Sequence, residues 1–295
     1  MKYRKLGNSD LGVSEVGFGC MSLELDKGQP HISDLLSKAY HSGINFFDTA
    51  DLYNKGLNEK MVGTALQSFR DEIIIATKVG NEWREDGSGW DWNPSKEHIL
   101  TGINESLRRL QTDHIDLYML HGGTIDDPID HAIEAFEQLK KQGKIRAYGI
   151  SSIRPNTIRE WVKRSNMDVV MMQYSLLDRR PEEEVLDLLN EHNISVITRG
   201  TLAKGMLIDK PSEAYLGYSR EEVRTVQDAV QNIGNPISAA IGYVLRHPAV
   251  ASAVAGIRTE EQLSSIINAA QDLTNEEGLL KLQDILSPNT YQDHR

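Results

Sequence analysis

Four side chains of complementary chemistry stand at or just past the ends of apolar runs: Asp48 and Tyr53 in NFFDTADLY, Lys78 in IIIATK and His121 in IDLYMLH. A carboxylate, a phenol, an ammonium and an imidazole held in one place can give a proton to a carbonyl that is being reduced. Hydride addition leaves negative charge on the carbonyl oxygen, and a proton donor beside it lowers the barrier. A free tyrosine has a pKa of about 10, so a neighbouring cation is needed to favour the phenolate. Lys78 can be that cation. Asp48 can pair with the lysine and limit the cost of burying its charge. His121 can hydrogen-bond the substrate oxygen, and the set then binds developing charge in a fixed arrangement.

Singly, each residue has a plainer account. Asp48 ahead of Thr49-Ala50 can cap a local turn, Tyr53 can pack or hydrogen-bond at the surface, and His121 can be structural. Lys78 at the end of IIIAT is harder to set aside, because a lysine at a strand end needs a partner. The weight rests on four compatible roles in one ordered frame.

Such a frame needs elements that bring successive chain segments to one rim. YRKLG and VSEVGFG flank a polar turn at Asn8-Ser9-Asp10 and read as a hairpin leading into a strand at 16–20. Predicted strands then cover 45–47, 72–76, 115–120, 145–149, 169–172, 194–197 and 251–255. Predicted helices cover 32–41, 59–69, 95–110, 129–142, 155–164, 181–192, 219–233, 236–246, 259–270 and 275–285. The strands are too apolar to have a wet face, which is the pattern of a parallel sheet buried on both sides. Seven or eight such strands, alternating with helices, predict a (β/α)8 TIM barrel with a short N-terminal β-hairpin closing its bottom. No linker divides the chain, so residues 1–295 are expected to form one domain. A barrel of this kind carries its chemistry at the C-terminal ends of its strands.

Two polar connections are long: residues 80–94, GNEWREDGSGWDWNP, and residues 199–218. Both follow predicted strands and belong on the active rim, where loops vary while the barrel holds them. The first carries Trp83, Trp90 and Trp92, three of the four tryptophans. They read either as packing that tethers the loop or, for at least one, as the wall of a substrate pocket.

Composition narrows the classes. A formal net charge of -11 opposes non-specific binding to DNA or an anionic membrane. No apolar run approaches the roughly 18 residues of a spanning helix, and MKYRKLGNSD lacks a signal-peptide core. The single cysteine, Cys20, excludes an intrachain disulfide framework and suits a reducing cytoplasm, the expected location. There is no GxGxxG opening a strand–turn–helix unit, no GxxxxGK[ST] and no HExxH. The nine histidines are dispersed, and DGSGWD at 86–91 lacks the rest of a calcium loop. No metal is expected.

From LGNSDLGVSEVGFG to GIRTEEQL the chain resembles the aldo-keto reductase family, with DTADLY, the strand-end lysine and LYMLH in family order. The resemblance implies Tyr53 as proton donor, Lys78 and Asp48 as its tuning pair, and His121 as a substrate-orienting neighbour. It also implies a nicotinamide cofactor, usually the 2′-phosphorylated NADP. In YGISS, Ser151 matches the family, and Ser152 replaces an asparagine that binds the nicotinamide carboxamide. In VVMMQYSLLDRR, Met171 takes the usual glutamine position and Gln173 the usual acidic one. Another register would keep Gln173 as the amide-binding residue but would misplace YSLLDR. In ISVITRGTLAKGML, Arg199 stands where some members stack a tyrosine on the nicotinamide. An arginine can lie over that ring or reach a phosphate.

Gly200, Leu202, Ala203 and Lys204 fall in the pyrophosphate-loop region, where small residues let the backbone approach phosphate. Lys204 neutralises charge there if it points inward and is otherwise a solvent-facing lysine. In AVAGIRTEEQL, Gly256, Arg258 and Gln262 fall at the adenosine end, with Arg258 placed for the ribose 2′-phosphate. Ile266 and Ser265 stand where the family often has asparagine and glutamate. The expected activity is reversible, NADPH-dependent reduction of a small aldehyde or ketone to an alcohol. The alternatives are an NADP-dependent sugar or polyol dehydrogenase and a cofactor-binding regulatory subunit resembling the potassium-channel beta subunits.

Overall fold

Short strands without a polar face must be covered on both sides, and a closed barrel wrapped in helices does this without leaving an edge. The computed structural model describes residues 1–295 and has this architecture. Strands β1 (Tyr3–Lys5) and β2 (Gly12–Ser14) form an antiparallel hairpin. Then follow β3 (Val16–Gly19), β4 (Phe46–Asp48) and β5 (Ile74–Val79). A second antiparallel hairpin joins β6 (Asn81–Trp83) to β7 (Trp90–Trp92). The rest are β8 (Ile115–Leu120), β9 (Ile145–Ser151), β10 (Val169–Gln173), β11 (Ser195–Arg199) and β12 (Val250–Gly256). Strands β3, β4, β5, β8, β9, β10, β11 and β12 neighbour one another in chain order and close into one parallel barrel.

The alternation of side chains along each strand divides the core in two. Phe46, Ile74, Ala76, Leu117, Met119, Val169, Met171 and Ile197 point inward and fill the barrel. Leu6, Leu11 and Val13 of the first hairpin join them and plug the lower end. Arg4 locks that plug by donating to the carbonyls of Leu245 and Val250, both at 2.8 Å. The outward residues, among them Phe47, Ile75, Tyr118 and Tyr148, pack under the surrounding helices. Several helix starts follow from local sequence: Ser95 caps Lys96–Leu110, and Ser219 with Glu222 forms a capping box on Arg220–Ile233.

The elements depart from the sequence-based expectation in three places. Residues 80–94 are not a plain polar connection; they fold back as β6–β7 around the DGSG turn, with Trp83 and Trp90 edge to face at 5.4 Å. Strand β5 runs to Val79 rather than Ala76, so Lys78 lies inside the strand. The helix expected over 181–192 splits into a 3-10 turn at Arg180–Glu183 and a helix at Val185–Glu191, because Glu184 leaves helical geometry.

Candidate active site

Asp48 is the last residue of β4, in register with Gly19 on one side and Ala76 on the other. Lys78 stands two residues beyond Ala76 on β5 and therefore points the same way, into the mouth of the barrel. His121 follows β8 directly, and its backbone N–H donates to the carbonyl of Val79 at 2.7 Å. Tyr53 comes from the loop after β4. Behind it Asn54, Lys55 and Gly56 are all left-handed, at φ 50°, 54° and 81°, and turn the chain sharply into the helix Leu57–Leu66. The four residues meet. Lys78 Nζ donates to Asp48 Oδ1 at 2.6 Å, to the Thr49 carbonyl at 2.8 Å and to Tyr53 Oη at 3.4 Å. The Tyr53 and His121 rings lie edge to face, 5.8 Å apart.

Burial governs the charges. It opposes the Lys78 ammonium, but Asp48 and Tyr53 more than reverse this and hold its pKa above the ordinary lysine value. Burial also raises the Tyr53 phenol against the downward pull of Lys78, so Tyr53 stays protonated. Burial lowers His121 to about 3, with the charges of Lys78 and Arg199 adding to the effect. The imidazole is therefore neutral, and its buried Nδ1 has no hydrogen-bond partner. The mouth thus holds a phenol with a proton to give, a fixed cation beside it and a neutral imidazole with an open polar atom.

The family model described as "Aldo/keto reductase family" matches residues 15–285. The chain belongs to this family. Aldo-keto reductases are oxidoreductases that bind a nicotinamide cofactor and act on small molecules. This one is 50% identical over 309 aligned positions to the uncharacterized oxidoreductase YqkF of Bacillus subtilis (strain 168), with 100% of both chains covered. The solved holo form of aldo-keto reductase AKR11C1 from Bacillus halodurans matches it with a TM-score of 0.96 at 48% identity, over 100% of this chain and 99% of that one. The NADH-specific methylglyoxal reductase of Escherichia coli (strain K12) is 29% identical, over 91% of this chain and 93% of the relative.

Of the residues assigned by resemblance to the cofactor, all but Met171 stand at or beyond the C-terminal ends of the barrel strands. Ser151 ends β9 half-buried; Ser152 is buried, and its Oγ accepts from the Arg154 N–H at 3.2 Å, which leaves its hydroxyl proton to give. Gln173 presents its carboxamide at the end of β10, accepting from Arg199 Nη1 at 3.1 Å and donating to Tyr215 Oη at 2.9 Å. Met171 does not join this polar rim. It is 1% exposed and packs in the apolar interior one layer below, where a thioether has little to offer an amide.

Arg199 is exposed, and its charge reaches Asp48, Tyr53 and His121. Beyond it Gly200, Ala203, Lys204 and Gly205 all have positive φ, which leaves a tight loop with Leu202 half-buried and Ala203 buried. Lys204 is exposed, with its ammonium 6.0 Å from the Tyr215 ring centre. At the end of β12, a Cβ on Gly256 would stand 2.7 Å from Ser22 Oγ, a contact that rotation of that hydroxyl would relieve. Arg258 is exposed, and its backbone N–H donates to Gln262 Oε1 at 2.9 Å where Thr259 caps the helix Glu260–Gln271. Ile266 is 3% exposed and packs in the core, which accounts for the missing asparagine.

Sequence reasoning passed over two residues here, Tyr215 and Asp127, and left Trp92 open between loop packing and a pocket wall. Trp92 Nε1 donates to Asp127 Oδ1 at 3.0 Å. The alternation in WDW on one side of DGSG was a readable sign of a hairpin. Tyr215 carries no local sign, because its partner Gln173 is remote in sequence.

Proposed function

We propose that this aldo-keto reductase interconverts aldehydes or ketones and alcohols with NADPH, and that Tyr53 carries the proton. The observation behind the reading is the continuous chain from Asp48 through Lys78 to Tyr53, with the neutral His121 ring against the phenol. Ser151, Ser152 and Gln173 are the polar groups at the rim suited to a nicotinamide carboxamide, the tight loop 200–205 to a pyrophosphate, and Arg258 with Gln262 to the adenosine end. A nicotinamide bound there supplies or accepts the hydride.

The chain's own residues do the rest. Tyr53 gives its proton to the substrate oxygen, and the Lys78 ammonium stabilises the phenolate left behind. Asp48 keeps that ammonium charged and in place. His121 orients the oxygen without adding a charge of its own. In the oxidation direction the phenolate takes the proton of the alcohol.

NADPH is favoured by the exposed Arg258 guanidinium, a suitable partner for a 2′-phosphate. NADH is a second reading with its own observation. The carboxyl of Glu24 is held low by its hydrogen bond to Lys27, with His31 and Arg258 adding to it, so a carboxylate stands near Arg258. Such a group favours a ribose hydroxyl over a phosphate. Fluorescence titration with both cofactors, on wild type and Arg258→Ala, separates the readings. The expected result is tighter NADPH binding that the substitution selectively weakens; an unchanged NADPH preference would refute the Arg258 assignment. For the proton, Tyr53→Phe should lower kcat by about 10²–10⁴-fold while cofactor binding is kept. Undiminished turnover would refute the role.

A further inference from the structure

We propose that Trp92, tied down by Asp127, is a positioning residue that holds the Lys78 and His121 strand ends at working distance, making the hairpin β6–β7 a brace rather than only a pocket wall. The inference rests on reading His121 as the group that orients the substrate oxygen.

Two glycines make the slot. Gly80 stands two residues after Lys78, at φ 126°, and Gly122 directly after His121, at φ 141°. A Cβ on Gly80 would meet the benzo edge of the Trp92 indole at 2.7 Å, and one on Gly122 would meet the same edge at 3.3 Å. A single ring therefore lies against the backbone just beyond both catalytic strand ends. The two ends are already joined by the bond from the His121 N–H to the Val79 carbonyl.

The ring is fixed in orientation as well as position. Its N–H is bonded to Asp127 Oδ1 at 3.0 Å, and Asp127 Oδ2 accepts from the Thr124 N–H at 2.6 Å. The loop that begins at His121 is so tied back onto the indole. Arg154 Nη1 holds the same loop through the Gly123 carbonyl at 2.6 Å. The hairpin's other end reaches the third strand end: Lys55, two residues past Tyr53, sets its ammonium 4.9 Å from the Trp83 ring centre. Trp90 makes a contrast, at 51% exposed. A side chain that merely lined a pocket would need neither the glycine pair nor the carboxylate.

The test uses the full chain. Trp92→Phe keeps a ring and loses the N–H, Trp92→Leu vacates the slot, and Asp127→Asn keeps one acceptor oxygen and turns an NH2 on the other N–H. With saturating NADPH and methylglyoxal as the probe substrate, kcat should fall about ten- to a hundredfold in Trp92→Leu, the scale of a misplaced reacting group. Trp92→Phe and Asp127→Asn should fall less, each losing one of the bonds that hold the indole to the loop, and NADPH affinity should hold throughout. A second readout needs no turnover. By nuclear magnetic resonance, the His121 ring should stay neutral down to pH of about 5 in the wild type and titrate above that in Trp92→Leu, as the loosened ring meets water.

An increase in KM at unchanged kcat would make the hairpin a pocket wall and overturn the proposal. So would a His121 titration that does not move in a folded Trp92→Leu protein. A wild type without turnover would defeat the proposed function, and the brace would then stand or fall on the His121 titration.

Discussion

Replacing Lys78 with methionine separates the two tasks of its ammonium. Methionine keeps most of the stem and removes the charge. That charge is 1% exposed and lies 2.6 Å from Asp48 Oδ1 and 3.4 Å from Tyr53 Oη. A full negative charge on the phenolate oxygen would interact with it by about 5 kcal/mol at an effective dielectric constant of about 20. Half of that charge in the transition state is worth about 2.5 kcal/mol, so kcat should fall about a hundredfold. Stability should fall too, because removing one partner of a buried pair costs about 3–5 kcal/mol. Burial already raises the Asp48 carboxyl against the pull of Lys78, so without the lysine it would take up a proton on folding. An acid raised on folding makes stability decline as pH climbs from its unfolded value of about 4 towards its folded one. The defect of Lys78→Met should therefore be worse at about pH 8 than at about pH 5. Adding Asp48→Asn to Lys78→Met should restore the melting temperature and not the rate. Single-turnover absorbance at the reduced nicotinamide band and melts at the two pH values measure both. A Lys78→Met enzyme with undiminished kcat, or a double variant that regains turnover, would refute the charge argument.

Two further perturbations test the buried titratable groups. Burial, with the charge of Glu59 behind it, raises Asp51 to about 8, and its Oδ1 has no partner. Stability should thus fall as pH rises from about 4 to about 8 through this group, and Asp51→Asn should raise the melting temperature more at the upper end of that range; an equal gain at both ends would refute it. His121, lowered to about 3, contributes stability that is fully present above the unfolded value of about 6.5 and is lost as pH falls towards the folded one. His121→Gln should flatten the acid loss seen in melts across that window, and an unchanged slope would count against the burial account.

The barrel was legible because its signals are local. Runs such as IIIAT and IDLYML are apolar but for Thr77 and Asp116, and the stretches between them carry caps such as Ser95 and Ser219. The meeting of Asp48, Tyr53, Lys78 and His121 was legible for a related reason: strand ends converge in a barrel, so residues remote in sequence but equivalent in position must meet. The rest of the rim was harder to read. Met171 and Gln173 are two residues apart and point the same way, and only depth along β10 separates a core residue from a rim residue. Ile266 in place of a polar residue is likewise a statement about packing under a helix, which no short motif reports. The Gln173–Tyr215 bond joins a strand end to a loop 42 positions away, and nothing in either neighbourhood announces it.

The separation between Tyr53 and Lys78 is also set from outside the barrel. Thr77 precedes Lys78 on β5, so the two side chains point to opposite faces. Thr77 Oγ1 donates to Glu59 Oε1 at 2.6 Å, and Glu59 Oε2 accepts from Arg109 Nε at 2.5 Å. Glu59 is fully buried on the helix that leaves the Tyr53 loop, so the Thr77 bond ties the exit of that loop to the strand that carries Lys78, and Arg109 holds the carboxylate in place. Arg109 presses on the loop directly as well: a Cβ on Gly56 would meet its Cδ at 2.6 Å. The inward bond from Lys78 to Tyr53 Oη is long, at 3.4 Å, and would be a weak determinant alone. The phenol stands near its cation because the loop is clamped on its outer side, which leaves the hydroxyl unencumbered by a short bond and able to turn towards a substrate oxygen.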